Sequence, residues 1–181
     1  SEVAPPSRLS FKATEVSASL AIDPTRLAGA DALGRPLLYN PNPLEPSSSI
    51  SHWDLSAAPD LLMEPTASPN VGFGEVDLTL PLFQDIGWPA GTSTVTVRVQ
   101  DAGGEGFNDA TVVPESPANP GGTTVGGQRL AALQWAADVW GALLGSEIEI
   151  NIDAAFDEYD CDPDEGAVLA AAGTRYLFSG F

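Results

Sequence analysis

The chain is poor in the residues that most often perform chemistry: one histidine (His52), one cysteine (Cys161) and one methionine (Met63) among 181 residues. A catalytic zinc site takes three protein ligands, so a single imidazole and a single thiol cannot supply a nitrogen and sulfur set. No GxSxG, Walker or GxGxxG sequence follows a strand, and His52 is the only imidazole that could serve a nucleophile as its base. A lone cysteine makes no internal disulfide. Cys161 is therefore read as a partly buried free thiol, as half of an intermolecular bridge, or as a catalytic thiol, and the acids around it disfavour the last of these. Basic residues are scarce too: Lys12 is the only lysine, and 7 bases against 25 acids leave a net charge of −18. Such a surface repels phosphate backbones and anionic headgroups, which excludes nucleic acid and membrane surfaces as expected partners and favours divalent cations or a salty medium. No apolar run approaches the roughly 18 to 20 residues that span a bilayer, so no membrane insertion is expected. Ser1, Glu2 and Val3 lack the basic and apolar regions of a signal peptide, so any export signal is expected to have been removed or to lie outside this chain.

What the chain does contain is a hydrophobic fraction of 43%, that of a globular protein, and a low charged fraction of 18%. Residues 1–13, with Pro5 and Pro6, read as an extended arm. In residues 14–22, Val16, Ala18, Leu20 and Ile22 alternate as a half-buried strand requires. A short strand at 37–39 precedes a proline-rich extended loop over 40–46. Residues 77–86 read as a helix with Leu78, Leu82, Phe83 and Ile86 inward, Pro81 near its first turn and Gly87 as its stop. Residues 89–92 resemble a linker. Residues 94–100 then alternate with Val95, Val97 and Val99 inward, and 101–123 form a long loop rich in Gly, Pro, Asn and Asp. Over 126–144, Leu130, Leu133, Ala137, Trp140 and Leu144 recur at helical steps, with Trp135 off that seam and Gly145 as cap. A strand follows with Ile148, Ile150 and Ile152 facing one way, and strand, helix, strand implies parallel pairing of 94–100 with 147–152.

Between these elements lies the segment SISHWDLSAAPDLLMEP, residues 49–65, which places His52 and Met63 in SHWD and LLMEP. DLTL, LF and DIGW follow within residues 77–88. This series resembles the C-terminal lobe, here about 33–88, of secreted bacterial relatives of the leishmanolysin-like metzincins. In that class an HExxH helix supplies two zinc ligands, a third arrives from downstream, and a methionine turn closes under the metal. By that resemblance His52 is the third zinc ligand, and Met63 is the structural Met-turn residue that helps form a hydrophobic floor. GEGFND (104–109), GTTVGGQRL (122–130), AADVWGALLGSEIEI (136–150) and the tail through AAAGTRYLFSGF resemble the N-terminal lobe of the same family, here about 94–181. The family order is N-terminal lobe, HExxH helix, SHWD lobe. Here the order is reversed and HExxH is absent, as in a tandem-repeat junction, a permuted or processed subunit, or an incomplete sequence.

The expectation is an α+β fold of two small lobes: strands plus a C-terminal helix in 1–88, a linker at 89–93, and a lobe over 94–181 carrying the strand–helix–strand unit of 94–152. Zinc is expected only if another chain or carboxylates complete the site around His52. Calcium has its own candidate in the run DEYDCDPDEG, where Asp160, Asp162 and Asp164 alternate like the first three ligands of a calcium loop, although Gly166 falls one place late and Ala171 stands where the twelfth-position glutamate belongs. Glu105, Asn108 and Asp109 form a second oxygen-rich cluster. The simpler reading of the run is a solvated acidic turn. His52 can also be a polar loop histidine, and Met63 a core-filling side chain. Three functions follow as expectations: a secreted, catalytically incomplete relative acting as an extracellular structural or assembly subunit, through self-association or another chain completing each lobe; a piece of an active zinc endopeptidase whose HExxH helix is supplied elsewhere; and a calcium-dependent binding module. No catalytic residue is assigned.

Overall fold

The structure, a computed structural model, describes residues 10, 14, 29–68, 76–114, 122–159, 161, 162 and 166–176. The expected arm and the strand expected over 15–22 lie outside these residues. The fold is α+β. Its described elements are helix α1 (Thr79–Asp85), strand β1 (Val95–Val99), a 3-10 turn (Gly106–Asn108), helix α2 (Val125–Leu143), strand β2 (Ile150–Ala154) and the two-residue strands β3 (Cys161–Asp162) and β4 (Gly166–Ala167). The chain divides into two compact units, Ser1–Ser93 with Gly141–Ile148, and Thr94–Trp140 with Glu149–Phe181.

The first unit is built around one tryptophan. Trp53 is 2% exposed and packs with Ala57, Leu61 and Leu78, flanked by the half-buried Ala30, Leu38 and Leu82. Burial of an aromatic this large dominates a small core. Short extended pairings bring the chain to it: Leu38 bridges Trp53 and Ala30 bridges Pro36, both antiparallel. Tyr39 N–H donates to the His52 carbonyl (2.9 Å), and Asp54 N–H to the Leu37 carbonyl (3.0 Å). The turn between Ala30 and Pro36 is organised by Asp31, whose carboxylate accepts from the Leu33 and Arg35 main-chain N–H groups and from Arg35 Nε at 2.7 Å. The Arg35 guanidinium, with these N–H donors, holds the Asp31 carboxyl well below the usual range, at about 2.

Helix α1 is set by its flanks. Asp77 accepts from Thr79 N–H and from its hydroxyl at the start, and its other oxygen accepts from Leu62 N–H. At the end, Gly87 takes φ +97°, its N–H donates to the Gln84 carbonyl and Trp88 N–H to the Phe83 carbonyl. That is the Schellman pattern, completed by an edge-to-face contact of Phe83 with Trp88 at 5.6 Å. The expected inward face is only partly so: Leu78 is buried, but Ile86 is 62% exposed.

The expected linker has a structural task. Gly91 N–H donates to the Leu143 carbonyl and Ser93 N–H to the Gly141 carbonyl, satisfying carbonyls at the end of α2 that have no partner within the helix. Gly145 N–H donates to the Pro89 carbonyl rather than closing back on the helix. The chains come this close because both positions are glycine; a Cβ on Gly91 would lie 3.0 Å from the Gly145 Cα.

The second unit carries the expected strand, helix, strand. β1 and β2 pair parallel, with Val95 opposite Ile150 and Arg98 opposite Asp153. A parallel pair needs a crossover, and α2 supplies it. β3 and β4 pair antiparallel. The sheet, however, is two strands wide among the described residues, and Ala137 is the one hydrophobic residue of this unit that is fully buried among them. Ile148 (79%) and Ile152 (37%) are exposed, against the expectation that they face inward with Ile150. Ile148 precedes the strand, which begins at Ile150, and among the described residues the sheet has no third strand.

Candidate functional site

The SHWD segment begins where the hairpin returns from its loop. Glu45 N–H donates to the Ser49 hydroxyl, and Ser51 donates its hydroxyl to the Ser47 and Ser48 carbonyls, closing a tight serine-rich turn. Two residues there take the left-handed region, Ser47 and the β-branched Ile50, both at φ 72°. His52 Nδ1 lies 3.0 Å from the Ser48 carbonyl and 2.9 Å from the Ser51 hydroxyl. A carbonyl only accepts, so this contact requires the proton on Nδ1. In the neutral ring the lone pair then lies on Nε2. Histidines that bind metal are commonly fixed this way, through the nitrogen that does not touch the ion.

Met63 joins the same place through its main chain. Its carbonyl accepts from Trp53 N–H at 2.8 Å, so the two parts of the motif lie side by side although 10 residues apart in sequence. The Met63 side chain is 37% exposed, whether expected as a core residue or as a floor under a metal. The residue's contribution here is its carbonyl. Glu64 turns back to accept from Leu61 N–H (2.7 Å), and burial raises its carboxyl above the ordinary value against the effect of that bond.

Among the described residues no three His, Cys, Asp or Glu side chains converge on a point that could hold a metal ion. His52 is a single donor, and the described residues do not fit a zinc centre by themselves. Asp162 lies exposed in β3, while Asp160 and Asp164 lie outside the described residues.

The GEGFND segment is organised as a packed turn that residue type alone did not indicate. Arg129 of α2 donates to the Gly106 carbonyl (2.9 Å), approaches Asp109 at 3.7 Å, and sets its guanidinium 4.0 Å above the Phe156 ring. Phe107 meets Phe156 edge to face at 5.7 Å. Asp101 accepts from Phe156 N–H (2.9 Å), and its carbonyl accepts from the Asn108 amide (2.8 Å). A side chain on Gly106, at φ +52°, would strike the Asp101 carboxylate. Asp109 is held below its ordinary carboxyl value first by the Thr111 N–H and hydroxyl, and then by Arg129. One sequence signal for this cluster existed: Arg129 is a rare cation in a very acidic chain.

The glycine-rich start of α2 is closed to anions. Val125 N–H donates to the Thr111 carbonyl, Gly126 N–H to the Asp109 carbonyl and Gly127 N–H to the Thr124 hydroxyl, which caps the helix. The first donors of a helix are what an anion would use, and all three are taken. No described helix is long and apolar enough to cross a membrane.

What remains open is the sheet of the second unit. Both of its strands are edge strands among the described residues, and Phe156 (48%), Val168 (55%), Leu169 (81%) and Tyr176 (68%) are exposed in the segment that follows β2. Unpaired sheet edges and exposed apolar side chains are each marks of a surface that takes another chain. No family model matches this sequence, and no curated protein or solved structure matches it either.

Proposed function

We propose that this chain is a catalytically incomplete relative of secreted leishmanolysin-like zinc metalloproteases and acts as an extracellular assembly subunit. The observation that carries this reading is the second unit: a two-stranded parallel sheet with Ala137 as its one fully buried hydrophobic residue among those described. Parallel sheets are stable when both faces are covered, and two strands alone are marginal in water. Covering each exposed Leu, Val or Phe fully contributes about 1.5 to 3 kcal/mol, so another chain laid over this unit supplies stabilisation that its own described residues lack. The relationship to the metalloproteases rests on SHWD and LLMEP, with support from the Trp53 to Met63 hydrogen bond that draws them together.

The test is sedimentation velocity and electron microscopy of the purified chain at micromolar concentration, with and without chelator, alongside elemental analysis for zinc. Oligomers or filaments that survive chelation are expected. Discrete monomers would refute the assembly role.

A second reading is favoured by one observation, the His52 ring held through Nδ1 by the Ser48 carbonyl, so that Nε2 takes no part in that contact. In that reading the chain is part of an active zinc endopeptidase whose HExxH helix comes from elsewhere. Monomers carrying stoichiometric zinc, with the metal lost in His52→Ala, would support it over the first.

A further inference from the structure

We infer that assembly, which this inference takes from the reading above, is head to tail: the outer edge of β1 in one copy receives the outer edge of β2 from a second copy. Main-chain direction identifies the edges. Ile150 N–H donates to the Thr94 carbonyl and Gln100 N–H to the Ala154 carbonyl. In a parallel ladder, alternate residues direct both main-chain groups at the same neighbour. With Val95 opposite Ile150 and Val97 opposite Ile152, Thr96 and Arg98 face β2, while Val95, Val97 and Val99 present their N–H and carbonyl groups outward. On β2, Ile150, Ile152 and Ala154 face β1, and Asn151 and Asp153 present theirs outward.

Charge selects which edges meet. Residues 94–100 carry Arg98 and no carboxylate, whereas residues 149–154 carry Glu149 and Asp153 and no base; Arg175 pairs with Asp153, which leaves Glu149 as the unbalanced charge of that strand. Two β2 edges would oppose carboxylates, and two β1 edges would bring arginines together; like charges opposed across strands destabilise the pair. Only β1 against β2 joins opposite signs. Repeating the internal register sets Arg98 of one copy opposite Asp153 of the next, as it already stands opposite Asp153 of its own chain. The joint also covers Ile152, which is 37% exposed at the β2 edge. An interface between two different surfaces leaves one of each free at the ends, so it continues into a ring or a filament.

Two proline substitutions separate this geometry from a two-fold contact. Val97→Pro removes an outward N–H of β1 and Asn151→Pro an outward N–H of β2, and neither donor belongs to the β1–β2 ladder; proline is tolerated at such edge positions. In sedimentation velocity at micromolar concentration, wild type sediments as an oligomer, each variant alone as a monomer, and an equimolar mixture as a heterodimer, since one variant retains β2 and the other β1. Far-UV circular dichroism establishes that both are folded. Dimers of either variant alone, or a mixture of folded variants that stays monomeric, would overturn the head-to-tail geometry while leaving assembly intact. A monomeric wild type would overturn the assembly reading itself. Arg98→Glu touches no main-chain bond and is exposed; at least tenfold weaker association is expected, and unchanged association refutes the charge selection.

Discussion

Gly126→Ala sets two opposing effects against each other, and the structure decides between them. Gly126 lies in the first turn of α2, where helix propensity alone favours alanine by about 1 kcal/mol. The position is buried, and an added Cβ would sit 2.5 Å from the Phe107 carbonyl oxygen, 2.6 Å from the Asp109 nitrogen and 2.8 Å from the Phe107 carbonyl carbon. All three are main-chain atoms of the GFND turn, which cannot rotate away as a side chain would. Relief requires that turn to withdraw, loosening the Gly126 to Asp109 bond (3.0 Å) and the seat of Arg129 on the Gly106 carbonyl. Overpacking of this kind costs typically about 1 to 3 kcal/mol, and losing a main-chain bond adds about 1 kcal/mol. The expected net result is destabilisation by about 1 to 3 kcal/mol. Urea unfolding followed at 222 nm, where α2 is the largest contributor, measures it. Gly127→Ala is the comparator: its nearest neighbour is the Thr124 hydroxyl at 3.0 Å, a side-chain atom, so the loss there is smaller. A Gly126→Ala protein that is more stable than wild type, or equal to the Gly127→Ala protein, would show that the turn does not pack on the helix as described.

Other outcomes are equally specific. Trp53→Ala is expected to cost about 3 to 5 kcal/mol in the first unit, whereas Trp53→Phe costs markedly less, because the buried Trp53 Nε1 has no hydrogen-bond partner among the described residues; equal losses in denaturant melts would refute this. Thr124→Ala removes the cap on Gly127 and should cost about 1 kcal/mol, while Thr124→Ser restores most of it. The Asp31 carboxyl should titrate by carbon-detected NMR with a midpoint of about 2, below the ordinary 3.8. Since the folded value is depressed, the Asp31–Arg35 clamp contributes fully above about pH 4 and is lost as pH falls towards 2; a midpoint near 3.8 would show that the clamp does not form. Copies carrying −18 each repel, so association should strengthen between 0.1 and 1 M NaCl, as the screening length falls from about 10 to 3 Å; weakening with salt would mean that the paired charges outweigh the net charge.

The parts of the fold that follow from side-chain periodicity were legible in the sequence. The parallel pairing of β1 with β2 is present, Val95, Val97 and Val99 are half-buried along with Thr96, and the helical seam has Ala137 buried beside half-buried Leu130, Leu133 and Trp140. Gly87 stops α1 as its residue type requires. What periodicity does not carry is whether anything covers the face it defines: Ile152 lies within β2 and is 37% exposed, and Ile148, 79% exposed, falls before the strand begins at Ile150. Residues 89–93 read as a linker because their donors are main chain, invisible in composition, yet Gly91 and Ser93 bond carbonyls at the end of α2. The site was legible in the same measure. The spacing of SHWD and LLMEP pointed to a shared place, and the Trp53 to Met63 bond supplies one, but which atoms of Met63 matter could not be read from its letter. The Arg129 stack on Phe156 joins residues 27 positions apart by number, with no local pattern to announce it.

That hydrogen bond has a consequence for how position 63 tolerates change. Every amino acid brings a carbonyl, so the turn that holds Trp53 through the Met63 main chain asks nothing of the side chain at 63 for this bond, and leucine, glutamine or lysine there would keep it. The tryptophan enjoys no such latitude. In this fold the bond belongs to the path of the backbone, and the methionine that draws the eye is the letter that could be erased first.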